Sequence, residues 1–584
     1  MYLLIVFKKQ LDMIVSNRDI AEIFDKLADL LEIKGDNPFK IIAYRNAART
    51  IGNMGTDLSK MVEEGVNLPD IPTIGKNIAQ KIIEIIKTGK LSKLKTLQNQ
   101  FPPHLLDLLT VKGIGPKRTK ILYESLHIGS LEELKKAAQA HKIRELNGFG
   151  EKLENLILKG TVLAKKEGKR FMYAAVEPHA KALLAYLKSF REVLQIEIAG
   201  SYRRKKETLG DLDILATAKN PKHVIEHFIK YKEIKEIISQ GTTRSTVILN
   251  SNLQVDLRCV SDESYGAALH YFTGSKFHNI AIRIMAAERG LKVNEYGIFR
   301  GGKKIAGETE EEMYKSVGLC YIEPELRENR GELKAAKAGK LPDLIKLEDI
   351  RGDLHIHSRY SDGQNSVMEM AKAAKELGYE YIAITDHSKH LGIVHGIDEK
   401  RLRKQLEEID KINETLEGIT VLKSIEVDIL KDGSLSLPNH ILKELDLVVG
   451  AVHDHFDLSL KKQTKRVIKA MDNPYLNILA HPTGRLIGER EAYRIDMELL
   501  FQEVKTRGCF LEINAQPKRL DLNDIYAKSA KEAGVKFVLS TDAHNIASLE
   551  YMKYAIFQAR RGWIEKKDVI NVLSLNALKK ALKR

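Results

Sequence analysis

Ile196-Glu-Ile-Ala-Gly-Ser-Tyr-Arg-Arg-Lys-Lys-Glu-Thr-Leu-Gly-Asp-Leu-Asp-Ile-Leu-Ala-Thr217 decides how this chain is read. It brings a Gly200-Ser201 turn, two arginines and the pair Asp211 and Asp213 within 14 residues. The apolar runs on either side predict short strands, and because strand side chains alternate, both carboxylates leave the same face. Hard divalent cations take one or two carboxylates plus substrate phosphates, and a small turn beside basic residues suits those phosphates. The stretch predicts a nucleotidyl-transfer site, against the plainer reading of an exposed Asp-x-Asp at a strand end.

Farther on, Asp256 stands alone in the apolar run Leu253-Gln-Val-Asp-Leu-Arg-Cys-Val260, a predicted strand that follows another at Ser245-Thr-Val-Ile-Leu-Asn250. A buried carboxylate stripped of its partner costs about 3–5 kcal/mol, so Asp256 is expected to face a cation as the third carboxylate of a two-metal centre.

At 584 residues the chain is too long for one core and divides into several domains. No apolar run approaches the roughly 18–20 residues of a membrane span, and Tyr2 to Phe7 is short even for a signal segment, so a cytoplasmic protein without membrane attachment is expected. Cys259, Cys320 and Cys509 lie far apart, form neither a disulfide framework nor a thiolate metal site, and are expected in cores. The net charge of +15 is uneven: 57 basic against 45 acidic residues up to position 350, and 37 against 34 after it. A basic front part favours a polyanionic partner.

Ile20, Ile23, Phe24, Leu27, Leu30 and Leu31 recur at helical spacing and predict an amphipathic helix. Three segments then repeat a short turn followed by a helix: Ile71–Ile82 around Gly75, Val111–Ile121 with Gly113 and Gly115, and Leu146–Leu156 with Gly148 and Gly150. Glycine permits positive φ there, and backbone N–H groups at the next helix start can accept a phosphate. The segments resemble helix-hairpin-helix motifs, which grip the DNA backbone without reading sequence. Thr73 departs from the pattern, standing where the first copy's glycine would be. Asn37-Pro-Phe-Lys-Ile-Ile-Ala-Tyr-Arg-Asn-Ala-Ala48 with the Ile71 hairpin resembles the small N-terminal domain of DNA polymerase beta and its relatives. The resemblance implies that Lys81 forms a Schiff base with a 5′ deoxyribose phosphate, and that Lys40 and Tyr44 lie against DNA. The alternative is that Lys81 only binds phosphate or solvent.

His270-Tyr-Phe-Thr-Gly-Ser-Lys-Phe-His-Asn-Ile-Ala-Ile-Arg283 precedes Leu291-Lys-Val-Asn-Glu-Tyr-Gly-Ile-Phe299. Together with Gly200, Ser201, Arg204, Gly210, Asp211, Asp213 and Asp256, this order resembles the palm and nucleotide-binding subdomain of a family X DNA polymerase. The resemblance implies that Ser201, Arg204 and Gly210 meet the triphosphate, that Tyr271, Phe272 and Gly274 line the sugar, and that Asn279 and Arg283 follow the base pair and template. Lys276 departs from the beta enzyme, which has an acidic residue near the incoming base.

Ten of the 18 histidines follow residue 350, most at the ends of apolar runs. His355, His357, Asp362, His387, Glu426, His453, His481, Asp542 and His544 alternate with amphipathic helical segments, which predicts a (βα) barrel with its site at the strands' C-terminal ends. Imidazoles and carboxylates without thiolates suit two or three zinc, manganese or iron ions. The segment resembles the PHP family, polymerase and histidinol phosphatase, at every position of its metal-ligand pattern. Arg485 and Arg519 are candidates to hold the substrate phosphate; His390, His395 and His455 are extra.

The expected architecture is multidomain, α+β and α/β. It comprises a helical N-terminal lyase-type domain (1–90), a helix-hairpin-helix domain (91–170), a nucleotidyltransferase palm with a mixed sheet (171–262), and a nucleotide- and template-binding subdomain (263–330). A linker (331–350) follows, read from its glycines, proline and charges, and then a distorted (βα)7-type PHP barrel (351–584). The resemblance implies a DNA-directed polymerase for gap-filling repair, using magnesium or manganese, joined to a metal-dependent 3′→5′ exonuclease with 3′-phosphatase or abasic-site endonuclease activity as further options. Gapped or primed DNA and dNTPs are the expected partners of a monomer. The rivals are an untemplated nucleotidyltransferase joined to a small-molecule phosphatase, and a DNA-binding scaffold with decayed sites. Met13 precedes the helical part more naturally than Met1.

Overall fold

The computed structural model describes residues 15–583 except 112, 152, 156, 159–169 and 390–394. The Tyr2–Phe7 run, the choice between Met1 and Met13, and His390 lie outside the described residues. Two compact units are present, residues 1–170 with 232–254, and residues 171–231 with 255–584.

The strands, in chain order, begin with β1 (Phe171–Met172), β2 (Val193–Ile198), β3 (Thr208–Leu209), β4 (Asp211–Ala218), β5 (Ile234–Gln240), β6 (Arg244–Leu249) and β7 (Gln254–Val260). After these come β8 (Lys292–Asn294), β9 (Gly297–Arg300) and β10 (Lys303–Ala306). The last series is β11 (Gly352–Ile356), β12 (Tyr381–Ile384), β13 (Thr420–Asp428), β14 (Leu447–Ala451), β15 (Ile478–Leu479), β16 (Phe510–Asn514) and β17 (Phe537–Ser540).

The first unit is helical apart from the antiparallel β5–β6 hairpin. Its first helix, Asn17–Lys34, starts at a Ser16–Asp19 capping box and stops at Gly35 with φ 80°. Ile20, Phe24, Leu27, Leu30 and Leu31 are buried as the periodicity predicts, and Ile23 packs at the margin of the same core. Helices Pro38–Gly52, Lys76–Thr88 and Pro116–Leu126 contribute to that core.

In the second unit, β2 pairs antiparallel with β4, and β4 neighbours β7. Helices Tyr173–Lys188 and Tyr265–Thr273 flank the palm strands, and helix Lys276–Ala287 leads into the β8–β9–β10 sheet. From β11 to β17 seven strands lie in sequence order, each parallel to the next. The Ile356–Ala543 bridge brings the last strand's end back to the first, nearly closing a barrel. Side chains alternate strictly: Tyr381, Ala383, Leu447, Val449, Ile478 and Val538 share one core. Their neighbours Ile382, Ile384, Val448, Leu479, Phe537 and Leu539 join another, shared with the surrounding helices.

Residues 331–350 are not the free joint their composition suggests. Glu332 is fully buried at the start of helix Glu332–Lys337, accepting from Asn329 N at 2.7 Å, Arg330 N at 2.7 Å and His278 Nδ1 at 2.8 Å. Local polar bonds plus Ala336 and Leu344 in an apolar cluster anchor a segment poor in large apolar residues. Cys259 and Cys509 are buried, whereas Cys320 is exposed, its thiol donating to the Ala336 carbonyl at 3.3 Å.

Candidate functional site

On the palm strands, Asp211 and Asp213 occupy the first and third positions of β4 and Asp256 the third of β7. Their carboxylate oxygens lie within 4.8 Å of one another, with Asp256 only 3% exposed. Gly200 is required beside them: its φ is +62°, and a Cβ there would stand 2.5 Å from Asp213 Oδ2. Three oxygens converging on one point from a partly buried face form a donor set suited to divalent cations.

Around this centre, Ser201 sits in the turn helix Gly200–Arg203, and Gly210 is exposed between β3 and β4. Arg204 is engaged: its Nε donates to Glu328 Oε1 at 3.1 Å and its Nη1 to the Thr273 carbonyl. Tyr271 and Phe272 meet edge to face with centroids 5.2 Å apart, next to Gly274 at φ +70°. Asn279 is buried, donates from Nδ2 to the Tyr271 carbonyl at 2.7 Å, and leaves its Oδ1 without a hydrogen-bond partner. Arg283 and Lys276 are exposed on the same helix. The chain motif gives no hint of the neighbouring Arg203, which grips Glu310 with both guanidinium nitrogens at 2.8 and 2.7 Å. Arg327 also donates to Glu310.

The barrel gathers its candidates where the strands end. His355 lies on β11 with His357 just beyond it, Glu426 lies on β13, and His387, His453, His481 and Asp542 follow β12, β14, β15 and β17 within three residues. Three overlapping groups converge: His357, Asp362, His387 and His544; His355, His357 and Asp542; and His387, Glu426 and His453. His481 joins through Nε2, 3.1 Å from Glu426 Oε1. Although burial alone raises the Glu426 carboxyl, His387, His453 and His355 around it hold it well below the usual carboxylate range. Burial and the neighbouring His544 and His387 push His357 down to about 3, whereas the carboxylates beside His453 and His544 raise both to about 9.

Orphaned polar atoms test the fit to metal. His355 Nε2, both ring nitrogens of His357, His453 Nε2 and His481 Nδ1 are buried without a hydrogen-bond partner. Buried donors and acceptors left unmatched cost about 1–3 kcal/mol each, and coordination relieves several at once. His481 at φ 29° and Asp542 at φ 54° also hold left-handed backbone, a strain that clusters at functional sites. The residues therefore fit a multinuclear divalent-metal centre.

Two carboxylates that the sequence reading missed fix the ligands from behind. Glu512 accepts from His355 Nδ1 at 2.7 Å and from the His481 backbone N–H at 2.7 Å, and Asp428 accepts from His453 Nδ1 at 2.9 Å. Such partners set which ring nitrogen faces the metal. An acidic residue inside an apolar run, the signal that exposes Asp256, marks both. The two arginines part company: Arg519 Nε lies 3.5 Å from Asp542 Oδ2, at the cluster's rim. Arg485, expected to hold phosphate, donates to Glu207 Oε2 at 2.7 Å and to the Leu520 carbonyl, pairing with a carboxylate 278 residues earlier in the chain. Among the extra histidines, His455 is exposed, and the His395 carbonyl accepts from Arg401 at 2.8 Å.

In the first unit, Gly113 at φ +90° and Gly148 at φ +81° hold the hairpin turns, and Thr73 adopts the same conformation at φ 73°, so the departure in sequence keeps the turn. Space beside Gly75, Gly115, Gly148 and Gly150 is open, and the helices starting at Lys76 and Pro116 have no side-chain cap. Their first N–H groups suit a phosphate. Lys81 Nζ stands 6.0 Å from the Tyr44 ring centroid and donates to the Asn77 carbonyl at 3.2 Å. Desolvation, aided by Lys40, lowers the Lys81 pKa. Lys40 pairs with Asp36 at 3.1 Å, and Lys93, absent from the motif, lies 5.7 Å from the Tyr44 ring.

Comparison with known proteins follows the same division. Family matches cover a helix-hairpin-helix domain (residues 15–91), a SAM-like helix-hairpin-helix tandem (105–160), the DNA polymerase beta palm (173–285), the DNA polymerase beta thumb (268–328) and a PHP domain (353–516). The chain is 39% identical to the DNA polymerase/3'-5' exonuclease PolX of Bacillus subtilis (strain 168), across 97% of this chain and 99% of that protein. The chain belongs to the family X DNA polymerases that carry a PHP domain. The polymerase and PHP domains imply dependence on divalent metal, and the polymerase and helix-hairpin-helix domains imply DNA binding. The chain is also 34% identical over 204 residues to a probable phosphatase of Thermoanaerobacter sp. (strain X514), across 33% of this chain and 78% of that one. No helix among the described residues is long and apolar enough to cross a membrane.

Proposed function

We propose that the chain extends a primer 3′ end in gapped DNA at Asp211, Asp213 and Asp256 and trims 3′ ends at the barrel cluster, as a repair polymerase with its own 3′→5′ exonuclease. The observation that carries this reading is the pair of separate donor sets, three carboxylates on β4 and β7 and nine imidazoles and carboxylates at the barrel rim. In the palm, magnesium or manganese would supply Lewis acidity for in-line displacement at phosphorus. The chain's own contribution is orientation. Asp211, Asp213 and Asp256 fix the cations, Ser201, Gly210 and Arg204 take the triphosphate, and Tyr271, Phe272 and Gly274 crowd the sugar edge where a 2′-hydroxyl would sit. Asn279 and Arg283 face the base pair and template.

In the barrel, His355, His357, Asp362, His387, Glu426, His453, His481, Asp542 and His544 would hold manganese, zinc or iron, which would supply Lewis acidity for hydrolysis at neutral pH. Glu512 and Asp428 hold His355 and His453 in the ligating tautomer, and Arg519 meets the phosphate being cut. Gly75, Gly115 and Gly150 open backbone N–H groups to the DNA backbone, with Lys40 and Tyr44 near its 5′ end. A 3′-phosphatase activity of the barrel is the second reading, favoured by its likeness to a probable phosphatase.

A paired assay tests the proposal. Asp211→Ala with Asp213→Ala abolishes extension of a gapped duplex and spares 3′ digestion, and His355→Ala does the reverse. Loss of both activities with either change would refute two independent sites.

A further inference from the structure

We propose that Arg561, on an outer helix of the barrel, is a positioning residue for the polymerase nucleotide site, where it sets the orientation and free charge of Arg204 through Glu328. The inference rests on the reading that Arg204 meets the triphosphate. Helix Met552–Arg561 packs on β16 and β17, and Arg561 at its end is 1% exposed. Its Nη1 donates to the Arg204 backbone carbonyl at 2.7 Å and lies 3.1 Å from Glu328 Oε1. That same oxygen accepts from Arg204 Nε at 3.1 Å. Arg561 thus touches both the backbone of Arg204 and the carboxylate that holds its side chain. Its Nη2 is fixed in turn by Asp524, which also accepts from Arg330 Nη2 at 2.8 Å.

Charge explains why the contact matters. Arg204, Arg330 and Arg561 face Glu328 and Asp524, three cations against two anions, with side chains all largely buried. If Glu328 had Arg204 as its sole partner, the pair would neutralise itself and offer a triphosphate little attraction. Sharing Glu328 with Arg561 leaves net positive charge at Arg204, whose Nη1 is already aimed at the Thr273 carbonyl, next to the sugar-facing Gly274. In a site of low dielectric that charge is worth far more than at a surface. The arrangement makes a residue of the hydrolytic domain part of the support for dNTP binding, without any contact to DNA or substrate of its own.

The test measures single-gap filling by the full chain, with kcat and KM for the incoming dNTP, alongside 3′ digestion. Arg561→Lys keeps a charge but cannot reach the Arg204 carbonyl, Glu328 and Asp524 together. Its KM is expected to rise about tenfold, the scale of one charge-assisted hydrogen bond, with kcat and 3′ digestion within about twofold. Glu328→Gln keeps an acceptor oxygen for Arg204 Nε but removes the charge that counters it, so its KM is expected to fall, and it keeps the test open if Arg561→Lys folds poorly by thermal unfolding. Tyr554→Phe is the control: from the same helix Tyr554 donates to Glu177 at 2.8 Å rather than to Glu328 or Asp524, and its loss is expected to leave KM unchanged. An unchanged KM in both folded variants while Arg204→Ala raises it would overturn the relay. So would an equal rise in Tyr554→Phe, or a parallel fall in 3′ digestion. If Arg204→Ala itself leaves KM unchanged, the triphosphate reading of Arg204 fails first and the relay with it.

Discussion

Replacing Gly200 by alanine should separate catalysis from stability at the palm. The new Cβ would stand 2.5 Å from Asp213 Oδ2, against ordinary contact from 3.4 Å upward, so the carboxylate must retreat by about 0.9 Å. The obstructing atom is the end of a side chain, which can rotate away, so the clash itself costs little stability. The left-handed φ of +62° adds about 1–2 kcal/mol for a residue with a Cβ. Function suffers more. Asp211, Asp213 and Asp256 have their oxygens within 4.8 Å of one another, and a shift of 0.9 Å at one member spoils a geometry for which misplacement by 1 Å costs about a hundredfold. Single-turnover extension of a gapped duplex is therefore expected to slow about a hundredfold, with 3′ digestion unchanged and a melting temperature only a few degrees lower. Gly75→Ala is the comparison, since it has open space and ordinary backbone, and should keep the extension rate once DNA is saturating. Extension by Gly200→Ala within threefold of the parent would refute the argument that this glycine exists to let Asp213 approach.

Acid should expose the Glu310 network. Burial pushes its carboxyl up, but Arg327 and Arg203 outweigh burial and bring it down to about 2 from an ordinary 4.5. A depressed carboxylate contributes stability above its unfolded pKa and loses it as pH falls, so about 3 kcal/mol should disappear between pH 4.5 and 2. Urea unfolding across that range should show the fall, and Glu310→Gln, already destabilised at neutral pH, should show a shallower one; equal slopes would remove Glu310 as the cause. At the other end of the chain, Lys81→Ala should abolish borohydride trapping on a 5′ deoxyribose phosphate while leaving extension of a primed template intact. Trapping that survives would return Lys81 to phosphate or solvent contact.

What the sequence made legible was local. Asp211 and Asp213 share a strand face by period two, and Asp256 betrays itself as a charge within an apolar run. The barrel ligands stand at predictable strand ends, so His355, Glu426 and His481 could be picked before any fold was known. Long-range pairing left no such trace. Nothing around Arg485 announces Glu207, 278 residues earlier, and nothing around Arg204 announces Glu328, 124 residues later. Segment 331–350 misled for a related reason, because composition records how much apolar surface a stretch brings and not that Glu332 finds three donors. Thr73 shows the opposite case, a residue that breaks a glycine pattern while keeping its backbone conformation at φ 73°.

The barrel's ligands also imply a schedule. They are drawn from β11 through the end of β17, so the set stays incomplete until Asp542 and His544 have been added and the last strand has closed against the first. The three palm carboxylates, by contrast, are all present once β7 has been made. During synthesis the chain thus acquires the proposed palm ligands hundreds of residues before the last of the proposed barrel ligands, and a chain cut short between the two is expected to fail at 3′ digestion.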